Sequence, residues 1–369
     1  MALGRVSIHN ITGNVYNTKM KVPEEQRIAY LQHSLTMKPQ EALKVEEYAA
    51  WLPPVVIDAH AHAGLPEHVI DIPPKSYNHM LSTFPSYTID ESKKTHQLFH
   101  PSTEIRSLRF AKTFKGIAHI AANDYLLNNC PPGDRAALYG LPDNIPYTID
   151  MLSDERVAGL KMYYSYLEPN ATHIYEIFKP EILAVAEEKS VPIILHPPQV
   201  ITNSIEDLLR LSADFPRLKV SIAHLGLSKF DIPGLQDAYS SLAEGTNFML
   251  DTALNPSTEV TYRAINTFGV DRIMYGSDEP LDLLRSVAFV HPKLGQRITT
   301  SYPYHWQDAD EHQEYQHLAH DAVHAHWLCL DALKAAIEKL PQQKSKNVKQ
   351  KIFHDNAAIF FDFRPLGTE

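Results

Sequence analysis

From residue 55 onward, short apolar runs alternate with amphipathic stretches. Val55 to Asp58, Lys115 to Ile120, Arg135 to Tyr139, Val157 to Tyr163, Val191 to His196, Leu218 to His224, Thr246 to Asp251 and Arg272 to Tyr275 read as strands. Between the later runs, His173 to Lys189, Ser204 to Asp214, Gln236 to Ala243 and Ser257 to Phe268 carry apolar residues at helical spacing. From the fourth strand to the eighth each step takes roughly 30 residues, enough for one strand, one crossover helix and short loops. Eight such units predict a closed (β/α)8 TIM-like barrel. An open doubly wound sheet is the competing fold, but no Gly-rich phosphate loop follows the first strand.

Residues 1–54 form an N-terminal helical extension ahead of a barrel domain at 55–369. Pro23 to Leu35 and Pro39 to Leu52 open on proline with acidic residues following, which predicts two helices, and Pro53-Pro54 stops the second. Two long loops are expected on the barrel, after strands 1 and 8. The first spans 63 to 114, where Pro66, Pro73, Pro74, Pro85 and Pro101 break regular structure; the second spans Glu279 to Ala309. A helix from Asp310 to Leu340 follows, then a Lys-rich linker and a closing segment, Ile352 to Phe363.

Composition narrows the function classes. Of 369 residues, 44% are hydrophobic and 21% charged, which is ordinary for a soluble globular chain. A formal charge of -10 with no Lys/Arg stripe argues against nucleic acid as a partner. No apolar run approaches a membrane span and the first ten residues lack a signal-peptide core, so no membrane association and a cytoplasmic location are expected. Two distant cysteines, Cys130 and Cys329, exclude a disulfide framework or a cysteine-rich zinc site.

The 20 histidines hold the chemistry. His-Ala-His occurs at 60–62 and at 324–326. On a strand, residues i and i+2 share a face, so His60 and His62 converge on one ion; on the expected later helix they diverge by about 200°, so His324 and His326 do not. Three more strand ends finish on a metal-competent group: His196 in Ile193-Ile194-Leu195-His196-Pro197, His224 in Ser221-Ile222-Ala223-His224-Leu225-Gly226, and Asp278 in Tyr275-Gly276-Ser277-Asp278. Barrel enzymes place catalytic groups at such ends. Imidazoles with one carboxylate suit a divalent metal of the zinc type, with Mn2+ the alternative, and leave a position open for water.

The series resembles the amidohydrolase superfamily, in particular its amidohydrolase-related branch of metal-dependent hydrolases and non-oxidative decarboxylases. The matching elements are Asp58-x-His60-x-His62, His196, His224, Gly276-Ser277-Asp278 and the late Asn356-Ala357-Ala358. The resemblance implies metal ligation by His60, His62, His196 and Asp278, with one ion expected rather than two. It makes His224 a second-metal ligand or the group that polarises the substrate, and makes Lys161 a carboxylated bridge between two metals, an ammonium for an anionic substrate group, or a structural ion pair. The implied activity is hydrolysis of a small-molecule amide, cyclic amide, ester or lactone by metal-bound hydroxide, with Asp278 moving the water proton and His224 stabilising the oxyanion. Decarboxylation of a small carboxylic acid on the same site is the alternative, and a non-catalytic metal-binding barrel a remote one.

Asp58 is expected to orient a ligand imidazole or cap its strand end. The five histidines from His312 to His326 read as a solvated or partly packed helical face, and His119 as a barrel-interior residue of the second strand. Arg285 and Arg297, in the loop after strand 8, could each grip a substrate carboxylate at two points or serve as ordinary surface ion pairs. Tyr163, Tyr164, Tyr302, Tyr304 and Trp306 would supply an aromatic substrate wall. The amphipathic helices of 1–54 could cover the barrel base or pair with a second copy of the chain.

Overall fold

The computed structural model describes residues 31–32, 34–70, 86–113, 116–167, 169–301, 308–341 and 347–363. Eight parallel strands form one sheet in sequence order: β1 (Val55–His62), β2 (Glu104–Phe110), β3 (Arg135–Tyr139), β4 (Val157–Met162), β5 (Ile193–Leu195), β6 (Val220–Ile222), β7 (Phe248–Asp251) and β8 (Ile273–Met274). The barrel closes between its first and last members. Ala59 N donates to Tyr275 O at 2.9 Å, Asp278 N to His60 O at 2.9 Å and His62 N to Glu279 O at 2.7 Å. This is the (β/α)8 barrel that the apolar periodicity predicts.

Helices fill the steps as their patterns require. Ile201–Asp214, Leu235–Ala243 and Thr258–Phe268 each turn an apolar stripe, such as Val260, Ala264, Ile265 and Phe268, onto the sheet. The strands are buried on both faces, and for that reason they read as nearly continuous apolar runs.

Strand 2 is the main correction. Of the expected strand at 115–120, the described residues from Gly116 onward form a turn leading into the helix His119–Asn129, whereas β2 lies at Glu104–Phe110. Arg106 and Arg109 disguise it in the sequence. Arg109 is fully buried, and its charge is met by Asp134 at 2.7 Å, a partner only the fold supplies. His119 therefore starts a helix, with its Nε2 on Lys112 O at 3.1 Å and its ring stacked on Tyr139 at 4.0 Å. The stretch expected as one long loop after β1 also contains a capped helix, Ile89–Phe99, whose N-cap Thr88 accepts from Glu91 N.

Beyond β8 the expected loop forms an antiparallel hairpin, β9 (Arg285–His291) and β10 (Gly295–Thr300), joined on its β9 side by β11 (Val323–His324). The single helix expected from Asp310 to Leu340 is broken accordingly into Ala309–Tyr315, a 3-10 segment, β11 and Ala325–Glu338. In the N-terminal region the helix Pro39–Trp51 is present and stacks Tyr48 on Trp327 at 5.9 Å. Most of the helix expected from Pro23 lies outside the described residues. Among the described residues no helix is long and apolar enough to cross a membrane.

Candidate metal centre

β1 delivers His60 and His62 to the C-terminal mouth of the barrel, both buried. His224 follows β6, and Asp278 follows β8. Single ligand atoms from His60, His224 and Asp278 all lie within 4.8 Å of one another. Asp278 Oδ1 stands 3.3 Å from His62 Nε2 and 3.5 Å from His60 Nε2. The His196 ring lies 5.2 Å from that of His224.

Local backbone makes these positions possible. His224 and Asp278 have φ of 57° and 65°, a left-handed conformation unusual for side chains other than glycine and common at functional sites. At Gly276 a Cβ would come within 2.9 Å of the His60 Cβ, so only glycine lets β8 pass this close to β1. That accounts for the glycine of the Gly-Ser-Asp element. Its serine has a separate task, because Ser277 N and Oγ both donate to the Asp58 carboxylate, at 2.9 and 2.5 Å. Asp58 Oδ1 also accepts from His60 N at 3.0 Å. Asp58 thus braces strand ends, and burial pushes its carboxyl up to about 7 against these hydrogen bonds.

The hydrogen bonds of the four imidazoles fix which nitrogen faces the centre. Nδ1 of His62 meets Ala111 O at 3.1 Å, that of His196 meets Pro197 O at 3.0 Å, and that of His224 meets Ala253 O at 2.9 Å. A carbonyl can only accept, so each Nδ1 carries the proton and each Nε2 a lone pair. His60 Nδ1 lies 3.0 Å from Asp251 Oδ2, which sets the same tautomer. Burial, reinforced by nearby lysines or by a neighbouring imidazole, drives all four pKa values down; His60 falls well below its usual value and His224 to about 4. With the Nε2 lone pairs of His60 and His62 3.5 and 3.3 Å from an Asp278 oxygen and a ligand atom of His224 within 4.8 Å, acceptors crowd together, and a bound cation relieves that crowding. The donor set therefore fits a divalent metal.

Lys161, on β4, is fully buried with Nζ 5.1 Å over the Phe110 ring, and its charge bears on all four imidazoles. Burial lowers its pKa to about 8 despite Asp251 and Asp278. Tyr163 lies beside the centre, 4.6 Å from His196 ring to ring, with Tyr164 at 5.3 Å. Tyr302, Tyr304 and Trp306 lie outside the described residues.

Arg285 and Arg297 are placed elsewhere. Arg285 donates to the buried Glu41 at 3.1 Å and to Thr36 O, tying the N-terminal helix to the hairpin. Arg297 grips Glu311 with two nitrogens. Their two-point geometry is thus satisfied within the chain, and neither is available as a carboxylate anchor.

The later His-Ala-His does not converge, although the reason differs from the expected helical divergence. His324 sits in β11 with its backbone N on Glu41 at 2.8 Å, while His326 turns to Asp282 at 2.8 Å and to His100 Nε2 at 2.7 Å. Both are buried, so the expected helical face of histidines does not extend to them. Sequence reasoning also missed Glu279, whose carboxylate takes Ser92 Oγ at 2.7 Å, Tyr87 OH at 3.0 Å and His96 Nε2 at 3.2 Å. It missed Asp251 as well, although an acidic residue closing an apolar strand was the same signal that marked Asp278.

A family model described as Amidohydrolase matches residues 115–363, so the His60/His62 motif lies ahead of the matched span. Among solved structures the chain is similar to Amidohydrolase 2 from Bifidobacterium longum subsp. infantis, at 18% identity and TM-score 0.52 over 84% of this chain and 99% of that one. It is similar to a zinc-bound amidohydrolase from Burkholderia multivorans at 12% identity and TM-score 0.54, over 84% and 99%. A third is 5-carboxyvanillate decarboxylase from Novosphingobium aromaticivorans complexed with manganese, at 11% identity and TM-score 0.51, over 84% and 96%. At these identities the likeness is one of fold. No curated protein matches the chain in sequence.

Proposed function

Because the chain belongs to the amidohydrolase family, we propose that it is a metal-dependent hydrolase acting on an amide, cyclic amide, ester or lactone of a small molecule. The observation that carries this reading is the convergence of His60, His224 and Asp278 within 4.8 Å, with His62 Nε2 3.3 Å from the same carboxylate. His60, His62, His196 and Asp278 would hold one divalent ion, with His224, which lies in the same 4.8 Å set as His60 and Asp278, placed to join them; the nitrogen-rich donor set favours zinc and also accommodates manganese. Such an ion supplies Lewis acidity and lowers the pKa of water toward neutrality.

The protein's own groups then have separable tasks. The Asp278 carboxylate accepts the proton of the attacking water and returns it to the leaving group. His224, held by Ala253 O with Nε2 toward the centre, polarises the substrate carbonyl or joins the ligand set. Lys161 sets a positive field that an anionic substrate group would meet, and Tyr163 with Tyr164 flanks the substrate on the His196 side.

Non-oxidative decarboxylation on the same site is a second reading, favoured by one feature, the buried Lys161 ammonium, which suits a carboxylate-bearing substrate. The similar fold of the manganese-bound 5-carboxyvanillate decarboxylase is consistent with this second reading. A panel of lactones, amides and aryl carboxylates assayed with zinc- and manganese-loaded protein separates the two. Acid released from neutral substrates supports hydrolysis, carbon dioxide from aryl acids supports decarboxylation, and inactivity of the metal-loaded protein across the panel opposes both.

A further inference from the structure

Asp251 closes β7 and is completely buried, with both carboxylate oxygens already engaged by groups of the protein. Its two oxygens divide their work. Oδ2 lies 3.0 Å from His60 Nδ1, while Oδ1 accepts from His224 N at 2.9 Å and Ala253 N at 3.1 Å. One carboxylate thereby holds the ring of one candidate ligand and the backbone of another. The second contact bears on a strained point, since His224 sits at φ 57° and its ring is in turn anchored on Ala253 O.

His60 differs from the other three imidazoles in what fixes its tautomer. Theirs are set by backbone carbonyls, which no substitution removes; that of His60 depends on a side chain. A carboxylate behind a ligand imidazole orients the ring and raises the basicity of the coordinating nitrogen. We propose that Asp251 is the positioning residue of the metal centre, fixing the Nε2 lone pair of His60 and the backbone of His224 without touching the ion. This rests on the metal reading above.

Asp251→Asn is the informative substitution. It keeps the shape and an acceptor for His224 N and Ala253 N, but turns an NH2 toward His60 Nδ1. Two donors then face each other, and the ring escapes by moving its proton to Nε2, which removes the lone pair from the centre. Full-length protein is stripped of metal and titrated with zinc against a chromophoric chelator. Histidine 15N spectra of the metal-free protein are recorded in parallel, the His60 signals being assigned by their loss in His60→Gln. Zinc binding is expected to weaken about 10- to 100-fold in Asp251→Asn, with His60 passing from the Nδ1–H to the Nε2–H form, a change that a merely structural role would not produce.

Parent protein that binds no zinc or manganese overturns the metal reading. Parent protein that binds zinc while Asp251→Asn binds it equally well overturns the role of Asp251 and leaves the metal reading standing. If Asp251→Asn does not fold, the parent spectrum decides: His60 protonated on Nδ1 supports the proposal, and on Nε2 refutes it.

Discussion

Ser277 and Asp58, the first just past β8 and the second within β1, are joined by two hydrogen bonds, Oγ to Oδ2 at 2.5 Å and N to Oδ1 at 2.9 Å. The pair completes the barrel where β8 is only two residues long, and it sits between the segments that carry His60 and Asp278. Ser277→Ala leaves a buried Asp58 oxygen without its hydroxyl partner. The expected cost is about 1.5–3 kcal/mol, read as a lower denaturation midpoint in urea at unchanged slope. A loss under 0.5 kcal/mol would show that water takes the hydroxyl's place.

Asp278→Asn keeps the side-chain volume but removes the charge and most of the proton affinity. Turnover is expected to fall by ~1,000-fold or more with the far-ultraviolet circular dichroism unchanged. Activity near the parent level would contradict both tasks assigned to this carboxylate.

Metal content is a direct check on the centre. Elemental analysis is expected to find about one divalent ion per chain, and chelation to abolish activity and lower the melting temperature, because an ion bound only to the folded state stabilises it. Two ions per chain would instead support a carboxylated Lys161 bridging them.

Lys161→Met tests the positive field over the substrate. KM for carboxylate-bearing substrates is expected to rise ~10- to 100-fold, the worth of one charge-assisted hydrogen bond, while Arg297→Ala leaves KM unchanged because its guanidinium is already held by Glu311. An equal effect of the two substitutions would return Arg297 to the substrate site.

Glu41 predicts the acid limb of stability. Burial works against its ionisation, but the His324 side chain and the backbone N–H groups of Lys38 and His324 bring the carboxyl down from 4.5 to about 2. A carboxyl depressed in the folded state stabilises it fully above the unfolded value and progressively less as the pH falls from about 4.5 toward 2. The full contribution is roughly 3 kcal/mol. Chemical denaturation from pH 6 to pH 3 should show Glu41→Gln with a flatter dependence than the parent; parallel curves would refute the assignment.

Much of this molecule was legible in the chain because its signals are local. Seven of the eight strands announce themselves as apolar runs near their observed positions, since a strand covered on both faces must be apolar throughout. His60, His224 and Asp278, which the fold brings within 4.8 Å, stood out in the chain together with His62 and His196 because barrel strands end where chemistry begins. What the tertiary structure alone decided involves partners far apart in sequence. β2 hides behind Arg109 until Asp134 neutralises it. Arg285 and Arg297 look like substrate anchors until Glu41 and Glu311 occupy them. The two His-Ala-His tripeptides are identical as text, yet one converges on Asp278 while the other divides between Glu41 and Asp282. Periodicity records which face a residue shows, and burial of charge records which distant group answers it; only the first is written along the chain.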